Sequence, residues 1–377
     1  MNTLRIRAVS RKEFLHIIRD PRSLGMSIAI PMLLLLLFGF ALTLDVDDVP
    51  LAVWDQDHSQ ASRELLSRFT GSPYFSRSLD ARNYSELENA VDSGKALAAL
   101  VIPTGFGGKI ASGREAPVQL IVDGSDSNTA TIAIGYADVV AMVYSQDVAL
   151  DITRRLGGTE WTQPLDVRPR VWFNADLESK NYIIPGLIAV IMMVIAALLT
   201  SLTIAREWER GTMEQLISTP VKGPELILGK LLPYFAIGMF DVLLAVLMGE
   251  FLFDVPLRGN AALLFAMAAV FLVGALSLGL LISVSTKSQL LASQLAMVMT
   301  FLPAFLLSGF MYTVSNMPQF IQMVTYLIPA RYFVALLKGI YLKGIGLQIL
   351  YLEAALLTLF GIMMIAMANV KFRKKLV

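Results

Sequence analysis

Arg206-Glu207-Trp208-Glu209-Arg210-Gly211-Thr212-Met213-Glu214-Gln215-Leu216-Ile217-Ser218-Thr219-Pro220 follows at once on residues 183–205, which contain no charged side chain. An apolar run of that length ended by a burst of charge marks a membrane–water boundary. Four of the first five loop residues are charged, with opposite signs close enough to pair with one another around the end of a span. Gly211 interrupts the helix, and Thr212 with Gln215 matches the Thr-x-x-Gln capping box that opens a new one. Met213, Leu216 and Ile217 share one face of that new helix, and Pro220 ends it. The expected product is an amphipathic helix of one to two turns at the membrane surface. It is either an ordinary interfacial helix or a rigid contact that fits a groove in a soluble motor.

Outward from this loop the chain reads as membrane-spanning on both sides. A crossing helix needs ~20 apolar residues. Residues 23–44 (from Ser23 to Leu44), 183–205, 231–253, 261–285, 289–312 and 347–369 qualify as six transmembrane helices. The first is too long for a signal-peptide core and no small-x-small cleavage site follows it, so it reads as an uncleaved anchor. Lys and Arg in the short loops set orientation. Fifteen fall in 1–22, 206–230, 286–288 and the 370–377 tail, against four on the other side (Arg258, Arg331, Lys338 and Lys343). Both termini are therefore expected in the cytoplasm.

Only 16% of the 377 residues are charged and 55% are hydrophobic, where a soluble domain carries about a quarter charged. The charge is concentrated in residues 45–180, which hold 20 Asp/Glu and 12 Lys/Arg. The net charge of +1 hides that split. Within 45–180, Leu51–Trp54, Leu97–Ile102, Val118–Val122 and Val167–Phe173 read as short strands. Ser59–Phe69 and Ser85–Ser93 read as helices opened by a capping serine, and Gly71–Pro73, Gly105–Gly108 and Asp123–Asp126 as turns. The segment is thus an inserted extracytoplasmic α/β domain. Residues 127–156 read as one long helix with Ile132, Tyr136, Val139, Val143 and Leu150 on a stripe. That stripe faces the domain core or forms a seam for a second protomer or a partner's coiled coil. Asp45, Asp47 and Asp48 do not fit a calcium loop and read as a solvated, membrane-proximal run.

The absence of cysteine removes disulfides and thiolate chemistry, and His16 and His58 are the only histidines. No metal site or catalytic nucleophile–base pair stands out, and no G-x-x-x-x-G-K-[ST] string is present to cradle phosphates. Residues 4–19 are a basic surface helix in which Leu4, Ala8, Leu15 and Ile18 share a stripe. Arg5, Lys12, His16 and Arg19 lie beside it, suited to anionic membrane lipids. Asp241, Glu250 and Glu353 lie within predicted spans. Intramembrane carboxylates are costly and suspected of function; Asp241, the most central, is expected to make a polar helix contact. These carboxylates support a rival reading as a proton-coupled secondary transporter. A third reading is a non-transporting receptor or scaffold that uses the extracytoplasmic domain.

The string Arg206-x-Trp208-Glu209-Arg210-Gly211-Thr212-x-Glu214-x-Leu216 after a span resembles the hallmark of ABC-2 type permeases. Leu307-Ser308-Gly309-Phe310 with Asn316-Met317-Pro318, and Ile328-Pro329-Ala330-Arg331-Tyr332-Phe333, resemble the family's fifth helix, its re-entrant hairpin (here 313–346) and the return into the last helix. The anchor, large insert and five further spans match the bacterial multidrug-efflux-like subgroup. The resemblance implies a permease subunit of an inner-membrane exporter for amphipathic drugs, lipids or similar compounds. It implies that Arg206, Glu207, Glu209, Arg210, Gly211, Thr212, Met213, Glu214, Leu216 and Ile217 form the coupling helix that docks on a separate ABC ATPase, with Met213, Leu216 and Ile217 as its contact face. The resemblance also implies that the 4–19 surface helix touches that ATPase, and ATP and Mg would be bound by the partner and no cofactor by this chain. A second permease copy or a paralogue is implied as well, and a periplasmic adaptor fits the subgroup; nucleic acid does not. Leu302, Phe305, Leu306 and Phe310 are the apolar candidates for a substrate pathway.

This topology predicts that a periplasm-active reporter fused at residue 110 is active and that one fused at residue 220 is silent. Cytoplasmic activity at residue 110 overturns the topology and the permease reading together.

Overall fold

The structure is a computed structural model that describes residues 2–42, 48–155, 172–174 and 178–372. The chain divides into two compact units, one of Met1–Thr43 with Arg170–Val377 and one of Leu44–Pro169. The first begins with helix α1, Thr3–Arg19, whose N-cap Asn2 accepts a hydrogen bond from the Leu4 amide. Asp20 ends it, and α2 (Pro21–Ala41) follows, with an apolar stretch over Ser27–Ala41. The buried side of α1 is Val9, Glu13 and Ile17. The expected stripe is on the outside: Leu4 is 73%, Leu15 41% and Ile18 50% exposed. The stripe is exposed because α1 is fixed by a buried charge and not by its most apolar face.

The second unit is a four-stranded sheet with helices on both faces. In chain order its elements are β1 (Val49–Asp55), α3 (Gln60–Thr70), β2 (Phe75–Asp80), α4 (Tyr84–Asp92), β3 (Ala98–Ile102), α5 (Phe106–Ala111), β4 (Gln119–Val122) and α6 (Ser127–Arg155). The strand order is β2-β1-β3-β4, with β1 parallel to both neighbours and β4 antiparallel to β3. Val49, Leu51, Val53, Leu100 and Ile102 face a core built with Leu65, Phe69 and Tyr144 of α3 and α6. Ala52, Ala99 and Val101 face Leu87 and Ala90 of α4 on the other side. Strand β2 escapes the sequence reading because beyond Phe75 it is mostly exposed and polar. The Val167–Phe173 strand lies for the most part outside the described residues, and Trp172 and Phe173 are irregular. Asp45 and Asp47 also lie outside them.

Two of the predicted caps differ in outcome. Ser59 does cap α3, accepting from the Ser62 amide at 3.1 Å. At α4 the cap is Asn83, which accepts from Glu86 at 2.9 Å, and Ser85 lies inside the helix. Gly105 takes a left-handed conformation (φ 79°) and starts α5, which includes Gly107 and Gly108, so the predicted turn is a turn and a helix start. Asp57 accepts from the Gly105 and Gly107 amides at 2.7 and 2.8 Å. Hydrogen bonds from Ser59 and from Gly107 hold its carboxyl below the ordinary aspartate range. On α6 the buried stripe is Ala133, Ala137, Val140 and Tyr144, whereas Val139, Val143 and Leu150 are exposed. Close approach to the sheet selects the small side chains, and the larger aliphatic ones are left outside.

The first unit resumes with α7 (Ser179–Glu209), α8 (Thr212–Ser218), α9 (Gly223–Phe251), α10 (Ala261–Thr286), α11 (Gln289–Leu307), α12 (Gln319–Thr325), α13 (Pro329–Lys343) and α14 (Tyr351–Lys371). Among the described residues, α7, α9, α10, α11 and α14 are each long and apolar enough to cross a membrane. Helices α12 and α13 meet at 85° as a broken or re-entrant pair. Helix α11 ends at Leu307, short of the expected 312, because Gly309 turns the chain with φ 80°. The Lys338 ammonium donates to the Gly309 carbonyl at 3.0 Å and lies 3.3 Å from the centre of the Tyr182 ring, fixing this turn to α7 and α13.

Helix α7 is the centre of the unit, buried nearly throughout residues 183–197. Its closest neighbour is α10, where Gly279 lies against Ala197 and Thr200. A Cβ there would come within 2.2 Å of the Ala197 carbonyl. Thr200 donates to the Leu276 carbonyl at 2.8 Å, and Ser283 accepts from the Ile204 and Ala205 amides at 3.0 and 2.9 Å. Small residues and interhelical hydrogen bonds are how helices associate where apolar burial alone gives little drive.

Candidate functional site

Helix α7 runs four residues past the apolar 183–205 stretch, and its end is shaped by Gly211. That glycine holds φ 70°, a conformation a side chain would oppose. Arg210 and Gly211 amides close the last turn on the Arg206 and Trp208 carbonyls at 3.1 and 3.2 Å. The chain then re-enters a helix as α8. The expected Thr212–Gln215 capping box does not form, since Gly211 occupies the cap position. The Thr212 hydroxyl instead donates to the Glu207 carboxylate.

The loop charges do not pair among themselves as the sequence suggests; Arg206, Glu207 and Glu209 each find a partner on another helix. Glu207 Oε1 accepts from Lys12 Nζ of α1 at 2.8 Å and lies 3.3 Å from Lys230 Nζ of α9. Lys230 Nζ also contacts Glu13 Oε1 of α1 at 2.6 Å. Arg206 reaches His16 Nε2 at 3.1 Å and donates from Nε to Gln289 Oε1 at 3.3 Å. Glu209 accepts from the Gln289 backbone amide at 2.8 Å and from its side-chain amide. It thereby satisfies the amide of the first residue of α11, whose own cap Ser288 makes no side-chain capping bond. Lys287 lies 4.7 Å from the centre of the Trp208 ring. Arg210 is exposed and has no ion-pair partner among the described residues.

The energetics of these pairs differ. Lys12 is 54% exposed, and such an ion pair is worth ~0–1 kcal/mol. Lys230 is 1% exposed and Glu13 5% by side chain. An ammonium taken so far out of water is tolerated only with charged partners in good geometry. Around it α1 and α9 pack closely: Gly229 admits Val9, with 2.7 Å left for a Cβ, and Glu225 accepts from the Asn2 amide at 2.8 Å. Sequence reasoning missed Glu13, Lys230, Glu225 and Gln289. The available signals were slight: Glu13 is the one acid in a basic helix, and Lys230 a single cation at the margin of an apolar run.

The faces of α8 are the reverse of the expected ones. Met213 is 1% exposed and lies in the core of the helical unit, with Leu216 and Ile217 packed against that core. The outward side carries Glu214, Gln215 and Ser218, next to Glu209, Arg210 and Gly211. An outward apolar face on a short helix would leave it unanchored, so burial of Met213 fixes α8 and leaves its polar side free to meet a partner.

The four pathway candidates do not share a surface. Leu302 and Leu306 are exposed at 50% and 40%, Phe305 is half-buried, and Phe310 is 2% exposed. Phe310 packs on Gly186 and edge-on to Phe305 at 5.6 Å, which makes it part of the core. Asp241 of α9 is 1% exposed, and neither carboxylate oxygen has a hydrogen-bond partner among the described residues, so the expected polar helix contact is not made. Among the described residues no three His, Asp or Glu side chains gather as a metal site.

Comparison with known proteins agrees with this architecture. The model of the ABC-2 family transporter proteins matches residues 21–369. A probable multidrug ABC transporter permease of Escherichia coli K12, YbhS, is 39% identical over 373 residues, 99% of this chain and 97% of the relative. A second, YbhR, is 32% identical over 92% of each chain. The inner membrane transport permease YhhJ of the same organism is 26% identical over 91% of this chain and 92% of its own length.

The buried ion network predicts a specific pattern of stability. Lys230→Met leaves Glu13 without its partner and is expected to cost about 3–5 kcal/mol. Combining it with Glu13→Gln should recover most of that loss. Thermal unfolding of the detergent-solubilised proteins checks this; equal destabilisation of the single and double variants refutes the network.

Proposed function

The chain belongs to the ABC-2 family of transporter proteins, and from that membership we propose that it is the membrane-spanning subunit of an ATP-driven exporter. It would reside as a multi-pass protein in a bacterial inner membrane, with α2 as the first of six spans, both termini in the cytoplasm and the sheet unit outside. It would work as a pair, with a second copy or a paralogue, and take its energy from a separate ABC ATPase, since the sequence has no phosphate-cradling string of its own. The names of the relatives and the apolar, exposed flank of α11 favour amphipathic drugs or lipids as cargo.

The observation that carries this reading is the way α8 is held. A seven-residue helix has little stability by itself, yet Met213 anchors it and Glu207 ties its first residue to α1 and α9. Glu209 ties the preceding turn to α11. A push on the outward residues Arg210, Glu214, Gln215 and Ser218 would therefore be delivered to four helices at once. The coupling residues divide into two roles: Arg206, Glu207, Glu209, Thr212, Met213, Leu216 and Ile217 hold the helix, and Arg210 and Glu214 meet the ATPase across Gly211.

Two substitutions test this without touching the buried core. Glu214→Arg inverts charge on the outward face, and Gly211→Pro forces a φ near −65° where the chain needs +70°. Both proteins are expected to insert normally and to lose substrate-stimulated ATP hydrolysis and efflux at least tenfold when co-purified with the ATPase. Wild-type stimulation and efflux in both refute a coupling role for α8.

Proton-coupled transport is the second reading, and the unpartnered Asp241 carboxyl is what favours it. Under the ATP-driven reading Asp241→Asn retains export within about twofold with an unchanged pH profile, because the residue does not carry the coupling ion. Abolished transport in a well-assembled Asp241→Asn protein, with a shifted pH profile, would support the proton-driven alternative.

A further inference from the structure

Two cavities meet at Arg206. One, of about 210 Å³, lies between α1, α2, α7 and α9, and its walls are aliphatic, including Ile30, Ile195, Leu199 and Leu202. The other, of about 180 Å³, is polar and includes Lys12, Glu13, Glu207 and Thr212. His16, Arg206 and Tyr234 line both. These three residues are a wall common to an apolar and a polar cavity, and the two volumes together fall in the ~300–1,000 Å³ range of small-molecule sites.

The charge around these cavities is uneven. Glu13 and Glu207 are already matched by Lys230, Lys12 and Thr212. Asp20, at the rim of the aliphatic cavity, is engaged by a neighbour of its own. Two cations have no carboxylate partner among the described residues: Arg210, which lines the polar cavity and is exposed, and the half-buried Arg206, whose hydrogen-bond partners are an imidazole and a carboxamide. A guanidinium presents a planar fork suited to phosphate oxygens. That of Arg206 stands between a polar cavity and a hydrocarbon-lined one. The ligand that fits has a phosphate joined directly to an aliphatic chain.

We propose that these cavities hold one membrane phospholipid, with its phosphate on Arg206 and His16 and one acyl chain between α2 and α7. The site requires that the chain be embedded in a membrane and does not depend on α8 docking to an ATPase. The aliphatic cavity admits one chain, which leaves the second in the surrounding bilayer. A lipid in this position bridges α1 and α7 beside Glu207, so it becomes part of the structure that holds α8.

The test is lipid retention by the full-length protein, purified in detergent, washed extensively and read by native mass spectrometry. The wild-type protein is expected to retain one phospholipid per chain. Arg206→Gln, which removes the cation, and Leu202→Trp, which fills the aliphatic cavity, should each lower occupancy at least tenfold. Lys343→Gln, remote from the site in sequence, should not change it. Inorganic phosphate at millimolar concentration should not displace the lipid, because it lacks the chain. Retention is compared on protein that elutes at the wild-type volume, with Leu199→Phe in place of Leu202→Trp should the latter not fold. The proposal is overturned if the wild-type protein retains no phospholipid. It is equally overturned if occupancy is unchanged by either substitution, or if inorganic phosphate alone empties the site.

Discussion

An ammonium group removed almost wholly from water needs opposite charge within a few ångström, and Lys230 has it from two directions. Glu13 reaches it from α1 and Glu207 from the end of α7. Because the cost of leaving any one of the three unmatched is several kcal/mol, their positions are fixed relative to one another, and so are the helices that carry them. The orientation of α1, the exit of α7 and the attachment of α8 all follow from this one constraint. Even the exposure of Leu4, Leu15 and Ile18 follows from it, since α1 must turn Glu13 inward and cannot also turn in its most apolar stripe.

The rest of the helical unit is held by different means. Where α7 meets α10, Gly279 allows the backbones to touch, and Thr200 and Ser283 supply hydrogen bonds between them. Hydrocarbon gives helices little reason to prefer each other to lipid, so close backbone approach and polar contacts carry the packing. The turn after α11 follows the same economy of contact, with Lys338 bonded to the Gly309 carbonyl and resting on Tyr182. The sheet unit, in contrast, has two conventional apolar cores, one on each face of β1 and β3.

Errors of the sequence reading share a physical cause. The buried sides of α1, α6 and α8 were set by contacts that the sequence does not show: the stripe of α8 expected outward is buried, that of α6 is largely exposed, against the core-facing reading and not against the seam, and that of the surface helix α1 is exposed. Glu13 decides for α1, the closeness of the sheet decides for α6 by favouring Ala133 and Ala137, and Met213 decides for α8 by filling the helical core. The short β2 was missed because a mostly exposed strand carries little hydrophobic signal beyond Phe75. Phe310 was placed on a pathway because an aromatic residue at a helix end looks alike whether it faces lipid, cargo or Gly186.

By itself the sequence determined the division into an apolar helical part and an inserted polar part, most helix positions to within a few residues, and the break at Gly211. These depend on local quantities: the length of an uncharged run, the composition of a segment, and the conformational freedom of one glycine. The tertiary structure alone decided which charges pair. Arg206, Glu207 and Glu209 lie within four residues of one another, and local proximity suggested that they neutralise each other. They instead bond to His16, Lys12, Lys230 and Gln289, which are 80 to 195 residues away for all but Lys230. A charge at the end of a span lowers its energy most with a partner that is already desolvated and rigidly placed, and only the folded chain brings such a partner to it.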